Sequence, residues 1–155
     1  MEEFRIPKTP VATVCYTIDN ESIAGDIFMD YVESGITVSQ MLDFFNSSPP
    51  FFPLLKQDDD RLILLNKEKL VRVDVPGLFA EYETEVSSQV DLKVGTILYM
   101  AAASVPLEGL LIVDLPEGHN RVVDLLNGGK SFVPFLMEKT LTLIHTRHIH
   151  KVEEL

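Results

Sequence analysis

The feature that most constrains this chain is that its landmarks occur twice, in the same order. The run Ile23-Ala24-Gly25-Asp26-Ile27-Phe28 lies on Leu107-Glu108-Gly109-Leu110-Leu111-Ile112, with glycine in the same place. After a loop three residues shorter in the second copy, 39–46 meets 120–127, and both Asp43/Asp124 and Asn46/Asn127 coincide. Phe51 to Leu55 then falls on Phe132 to Leu136 with Pro53 on Pro134, Leu62 to Asn66 on Leu141 to His145, and Leu70 to Val73 on Ile149 to Val152. Self-similarity of this kind means two supersecondary units that bury their apolar faces together. Upstream the match is one of type only, with Ala12 to Tyr16 laid on Thr96 to Met100.

Local physics gives each landmark a structural expectation. Val11 to Ile18 and Ile23 to Met29 flank the turn-forming residues 19–22, a strand, turn and strand. Ser39 and Asn120 are suited to cap a short helix. In that helix Met41, Leu42, Phe44 and Phe45, or Val122, Val123, Leu125 and Leu126, form one apolar stripe. Asn46 and Asn127 end it, because asparagine tolerates the left-handed conformation past a helix C-terminus. Phe51 to Leu55 and Arg61 to Leu65 make a second hairpin around an acidic tip, and a last strand follows 66–69 or 145–148. Pro53 and Pro134 cannot donate a ladder hydrogen bond, which places their strands at edges or bulges.

The expected fold is therefore mainly β (α+β): a tandem duplication of a small bent-sheet or barrel module, β-β-α-β-β(-β), packed with pseudo-twofold symmetry. The first module covers 1–75 and the second 95–155. The connector 76–94, with its alternating Glu81-Tyr82-Glu83-Thr84-Glu85-Val86, reads as linker or an extra strand.

The helix and following strand, Ser39 to Phe52 and Arg121 to Val133, resemble a family of uncharacterised bacterial proteins with a single short module. In these a strand pair leads to a helix of the type R-L-S-D-Y-L-N and then F-F or F-L. That resemblance implies a fold and no activity. In element order the chain is also similar to Sm-like and SH3-like small barrels, the former RNA-binding; their helix precedes the first strand, whereas this one follows the second.

Composition narrows the function classes. A formal charge of −11 opposes phosphate backbones and makes nucleic acid a poor partner. No apolar run approaches the roughly 20 residues of a membrane span. One cysteine, Cys15, excludes an internal disulfide and fits a reducing compartment. No basic-then-apolar leader opens the sequence, and a cytoplasmic location is the default expectation.

No catalytic or cofactor motif survives inspection. Gly128-Gly129-Lys130-Ser131 follows a helix and lacks the earlier glycine of a phosphate loop, so it reads as a turn. Asp58 to Asp60 lack calcium-loop spacing, Asp43 and Asp124 face outward, and Cys15 reads as a buried strand residue. His145, His148 and His150 are the nearest to a metal set, with alternation placing His148 and His150 on one face. Their counterparts Asn66, Lys69 and Val71 rule out a metal role common to both modules.

Phe51 to Leu55 and Phe132 to Leu136 are apolar at consecutive positions, so one sheet face cannot bury them all. The other module or a partner has to cover the second face. Phe51, Phe52, Leu54, Phe132, Val133 and Phe135 are thus the interaction-surface candidates. The expected function is a non-catalytic protein-interaction or assembly module that self-associates or binds a protein partner. The alternative is small-ligand sensing or weak enzymatic activity in the cleft between modules, with Tyr82, His119, Arg121 and His148 converging. Sm-like RNA binding is the remote third.

Overall fold

The computed structural model describes residues 7–87, 93–116, 118 and 121–155. The first half runs β1 (Lys8–Thr17), β2 (Ser22–Asp30), α1 (Val38–Asn46), β3 (Phe51–Lys56), β4 (Leu62–Asn66) and β5 (Leu70–Asp74). A helix α2 (Phe79–Ser87) leads to β6 (Lys93–Met100), β7 (Leu107–Ile112), α3 (Val122–Leu126), β8 (Phe132–Leu136), β9 (Leu141–His145) and β10 (Ile149–Glu154). A single 3-10 turn precedes the last strand of each half, at Lys67–Lys69 and Thr146–His148.

The ten strands of the described residues form one open antiparallel sheet in the order β10-β6-β7-β8-β9-β5-β1-β2-β3-β4. The fold is mainly β, as expected, but no barrel closes. Each half contributes the same internal order, last strand, first, second, third, fourth, and the two meet where β9 pairs with β5. A twofold axis would join like strands. Here unlike strands meet, so the halves follow head to tail along the sheet, and the expected pseudo-twofold packing is corrected.

Strand register also corrects the upstream alignment by one residue. Thr13 lies opposite Gly25 and Thr96 opposite Gly109, while Tyr16 lies opposite Arg72 and Tyr99 opposite Lys151. The equivalent runs are therefore Val11-Ala12-Thr13-Val14-Cys15-Tyr16 and Val94-Gly95-Thr96-Ile97-Leu98-Tyr99. Cys15 occupies the place of Leu98 in a fully buried interior, where desolvation pushes its thiol up to about 12.

Gly25 and Gly109 are dictated by close backbone approach. A Cβ at Gly25 would lie 2.4 Å from the Leu55 carbonyl oxygen, and one at Gly109 2.6 Å from that of Leu136. There the third strand crosses the second, and the two stay paired for only two residues: Gly25–Lys56 and Asp26–Leu55, or Leu110–Leu136 and Leu111–Phe135. This brief pairing explains the prolines. Pro53 and Pro134 sit in interior strands, contrary to expectation, but beyond the point where the second strand has turned away. Their missing N–H breaks no ladder there.

The helices differ from expectation at their ends. Thr37, not Ser39, caps α1: its hydroxyl accepts from the Gln40 N–H at 3.3 Å and its own N–H donates to Gln40 Oε1 at 2.8 Å. In α3 the Arg121 N–H donates to Asp124 Oδ2 at 3.2 Å, while Asn120 lies outside the described residues. Neither asparagine is left-handed: Asn46 is the last helical residue of α1, and Asn127 follows α3 with φ −91°. A buried lysine terminates α1 instead, with Lys67 Nζ donating to the carbonyls of Phe44 (2.6 Å) and Ser47 (2.9 Å).

Within the connector, Phe79–Ser87 form a helix where the alternation suggested an extra strand. The period-2 alternation of Glu81 to Val86 also places Tyr82 and Val86 four residues apart, and both are buried on one helical face with Leu78 just before them. Among the described residues no helix is long and apolar enough to cross a membrane.

Candidate functional site: the seam between the halves and its unpaired counterpart

The seam is built on three register pairs, Arg72–Ile144, Val73–Leu143 and Asp74–Thr142. The Val75 N–H donates to the Leu141 carbonyl at 2.9 Å and Thr142 Oγ1 to that of Val73 at 3.2 Å. The outer face of β8 and β9 packs onto the first half, and both strands are almost wholly buried. Phe132 is 1% exposed and its ring lies 5.4 Å from that of Phe45, a residue of α1.

Asn46 closes the seam. Its Nδ2 donates to the Phe132 carbonyl at 3.1 Å, and its Oδ1 accepts from the Phe132 N–H at 2.7 Å. The asparagine side chain thus serves both backbone groups of one strand residue, as a neighbouring strand would. Asn46→Ala leaves both groups unpaired at a part-buried site and is expected to cost about 1–3 kcal/mol. A chemical denaturation midpoint measures it; a value within error of wild type would contradict this role.

The histidines serve the same junction. His145 is buried against Phe132, with its ring centroid 4.5 Å away, and its Nδ1 donates to the Leu70 carbonyl at 2.8 Å. His148 Nε2 donates to the Glu68 carbonyl at 3.0 Å, and its ring meets His145 edge-on at 4.7 Å. His150 lies elsewhere, beside Tyr99. The expected pairing of His148 with His150 on one face does not occur, because His148 belongs to the 3-10 turn and His150 to β10. Among the described residues no three His, Cys, Asp or Glu side chains are placed to hold a metal ion.

Burial holds His145 below the usual histidine value, opposed by its backbone hydrogen bond to Leu70. The unfolded chain therefore binds this proton more readily than the folded one. The contribution of His145 is fully present above about pH 6.5, the unfolded value, and declines as pH falls through the window down to the folded value. His145→Asn, which installs the residue found at position 66, is expected to flatten that part of the stability-versus-pH curve. Denaturation midpoints at several values from neutral to mildly acidic pH test this, and an unchanged slope would contradict it.

The other expected sites are scattered. Tyr82 is buried in a cleft of about 370 Å³ lined also by Glu85, Asp114, Asp124 and Lys130, and desolvation pushes its phenol up. Arg121 is exposed at the start of α3, His148 sits at the seam, and His119 lies outside the described residues. The described members of the expected convergence are thus not brought together. Of the six surface candidates, Phe52, Leu54, Phe132, Val133 and Phe135 are buried inside this chain. Their placement on a free surface is corrected: the first two fill the interior of the first half, and the second half folds the others into the seam and its own interior.

Phe51 is the exception, 54% exposed. It begins a face that corresponds residue by residue to the buried face of β8 and β9. Leu62 and Leu64, the counterparts of buried Leu141 and Leu143, are 62% and 67% exposed. β4 ends the sheet, and so does β10 at the far side. The apolar strands are visible in the sequence, but which copy stays uncovered is not, because the two runs are equally apolar. Comparison with protein-family models, with curated proteins and with solved structures finds no match to the chain.

Proposed function

We propose that this chain is a non-catalytic assembly module that self-associates through the outer face of β3 and the free edge of β4. One observation carries the reading: the face that β8 and β9 bury within the chain is left in solvent on β3 and β4, with Leu62 and Leu64 62% and 67% exposed. A sheet edge with contiguous apolar side chains is a template for strand pairing. Natural edges are blunted by charge, and Leu62-Ile63-Leu64-Leu65 carries none. The duplicated landmarks support descent of both halves from one ancestral unit, in keeping with their likeness to single-module bacterial proteins. The charge of −11 supports a protein partner over nucleic acid, and the single buried thiol fits a cytoplasmic setting.

Light scattering on the size-exclusion peak, with native mass spectrometry, tests the reading. Wild type is expected at a mass above that of one chain and Leu64→Lys as a folded monomer of 17.4 kDa. A wild-type monomer carrying stoichiometric extra mass would overturn it and transfer attention to the Tyr82 cleft.

A further inference from the structure

Resting on that reading, we infer that the occupant of the β3–β4 surface is the opposite end of a second copy, its β10 edge and α3, so that chains join head to tail. The seam inside each chain is the template. It unites the third and fourth strands of the second half with the fifth strand and helix of the first. The same elements in the other halves, β3 and β4 at one end of the sheet and β10 and α3 towards the other, have no such mate among the described residues.

The two ends match in detail. On β5, the guanidinium of Arg72 lies 4.0 Å from the centroid of Tyr16; on β10, Lys151 Nζ lies 4.1 Å from that of Tyr99. Asp74 and Glu153 follow at equivalent places. The edge that receives β9 inside the chain is thus reproduced, cation over tyrosine included, on the edge that is free. β10 also supplies what β4 lacks, since Lys151, Glu153 and Glu154 keep it soluble when unpaired.

Transferring the seam register predicts the contact between copies. Arg72–Ile144, Val73–Leu143 and Asp74–Thr142 become Lys151–Leu65, Val152–Leu64 and Glu153–Ile63. Phe51 faces Asn66 as Phe132 faces His145. Asn127, the counterpart of Asn46, is exposed, and no hydrogen bond of its side chain is seen among the described residues. In the assembly it takes the Phe51 N–H and carbonyl, with Leu126 against the Phe51 ring in place of Phe45. A contact between unlike surfaces closes into a ring or extends as a filament, according to the rotation between copies.

Complementation between two exposed-site variants tests this by light scattering and native mass spectrometry. Leu64→Lys spoils one end and leaves the other intact; Asn127→Lys does the reverse. Each alone is expected at 17.4 kDa, and their equimolar mixture at twice that mass, because one good junction remains. Circular dichroism checks that each is folded. If Leu64→Lys dissociates the wild-type oligomer and Asn127→Lys does not, the inference fails while self-association through β4 stands. If wild type itself is monomeric at all concentrations, both fail.

Discussion

Replacing Gly25 or Gly109 by alanine is expected to destabilise the chain by about 3 kcal/mol, the upper end of what overpacking typically costs. The clash cannot be relieved by a rotamer change. At Gly25 the new methyl would meet the Leu55 carbonyl oxygen at 2.4 Å and Leu54 Cδ2 at 2.5 Å; at Gly109, the Leu136 carbonyl at 2.6 Å and Phe135 Cζ at 2.9 Å. Retreat would separate the second and third strands where they pair for only two residues. Against a typical domain stability of about 5–15 kcal/mol, either variant should show a large drop in urea midpoint. Gly77→Ala is the control, because beyond its chain neighbours no atom of the described residues lies within 4 Å of its added Cβ. Equal midpoints for all three would mean that the third strand does not cross the second this closely.

Phe132→Ala is expected to cost about 3–5 kcal/mol, as for other buried phenylalanines, whereas Phe51→Ala should change the stability of the isolated chain by about 0.5 kcal/mol or less. The two residues hold equivalent places, so the difference comes from cover alone. Phe132 is 1% exposed, between Phe45 and His145; Phe51 is 54% exposed. Under the proposed assembly, Phe51→Ala should instead weaken self-association. Thermal denaturation at low concentration separates the two effects, since stability gained by association depends on concentration. A large loss for Phe51→Ala in the dilute monomer would contradict the assignment of its face as uncovered.

Much of the architecture was legible because glycine and proline carry backbone constraints that survive in both halves. Gly25 and Gly109 anchored the alignment, and the structure shows why each must lack a side chain. The upstream strand admits a one-residue slip because alternating apolar runs look alike after it; the shared Thr-x-x-Tyr of 13–16 and 96–99 is the signal that fixes it. The helix at 79–87 is not distinguishable from a strand in the sequence, because Tyr82 and Val86 satisfy a strand period and a helix period together. Helix caps went to Ser39 where the reciprocal pair Thr37 and Gln40 wins by two hydrogen bonds.

The proposed association surface is legible in the sequence only in part. Consecutive apolar residues required a cover on the second face, but nothing local distinguishes Phe51 from Phe132. Only the sheet order shows that β9 has β5 on its outer side while β4, paired with β3, has no strand on its outer side among the described residues. The sequence position of Asn46 fits a helix stop; its seam role depends on Phe132, 86 residues away.

The central claim, that both ends of the sheet are unfilled halves of the internal seam, is tested most directly by amide hydrogen exchange across a protein dilution series. Slowed exchange in both 62–66 and 149–154, rising together with concentration while 70–74 and 141–145 stay protected throughout, is the expected result. Protection confined to 62–66, or none at either edge at any concentration, would contradict it.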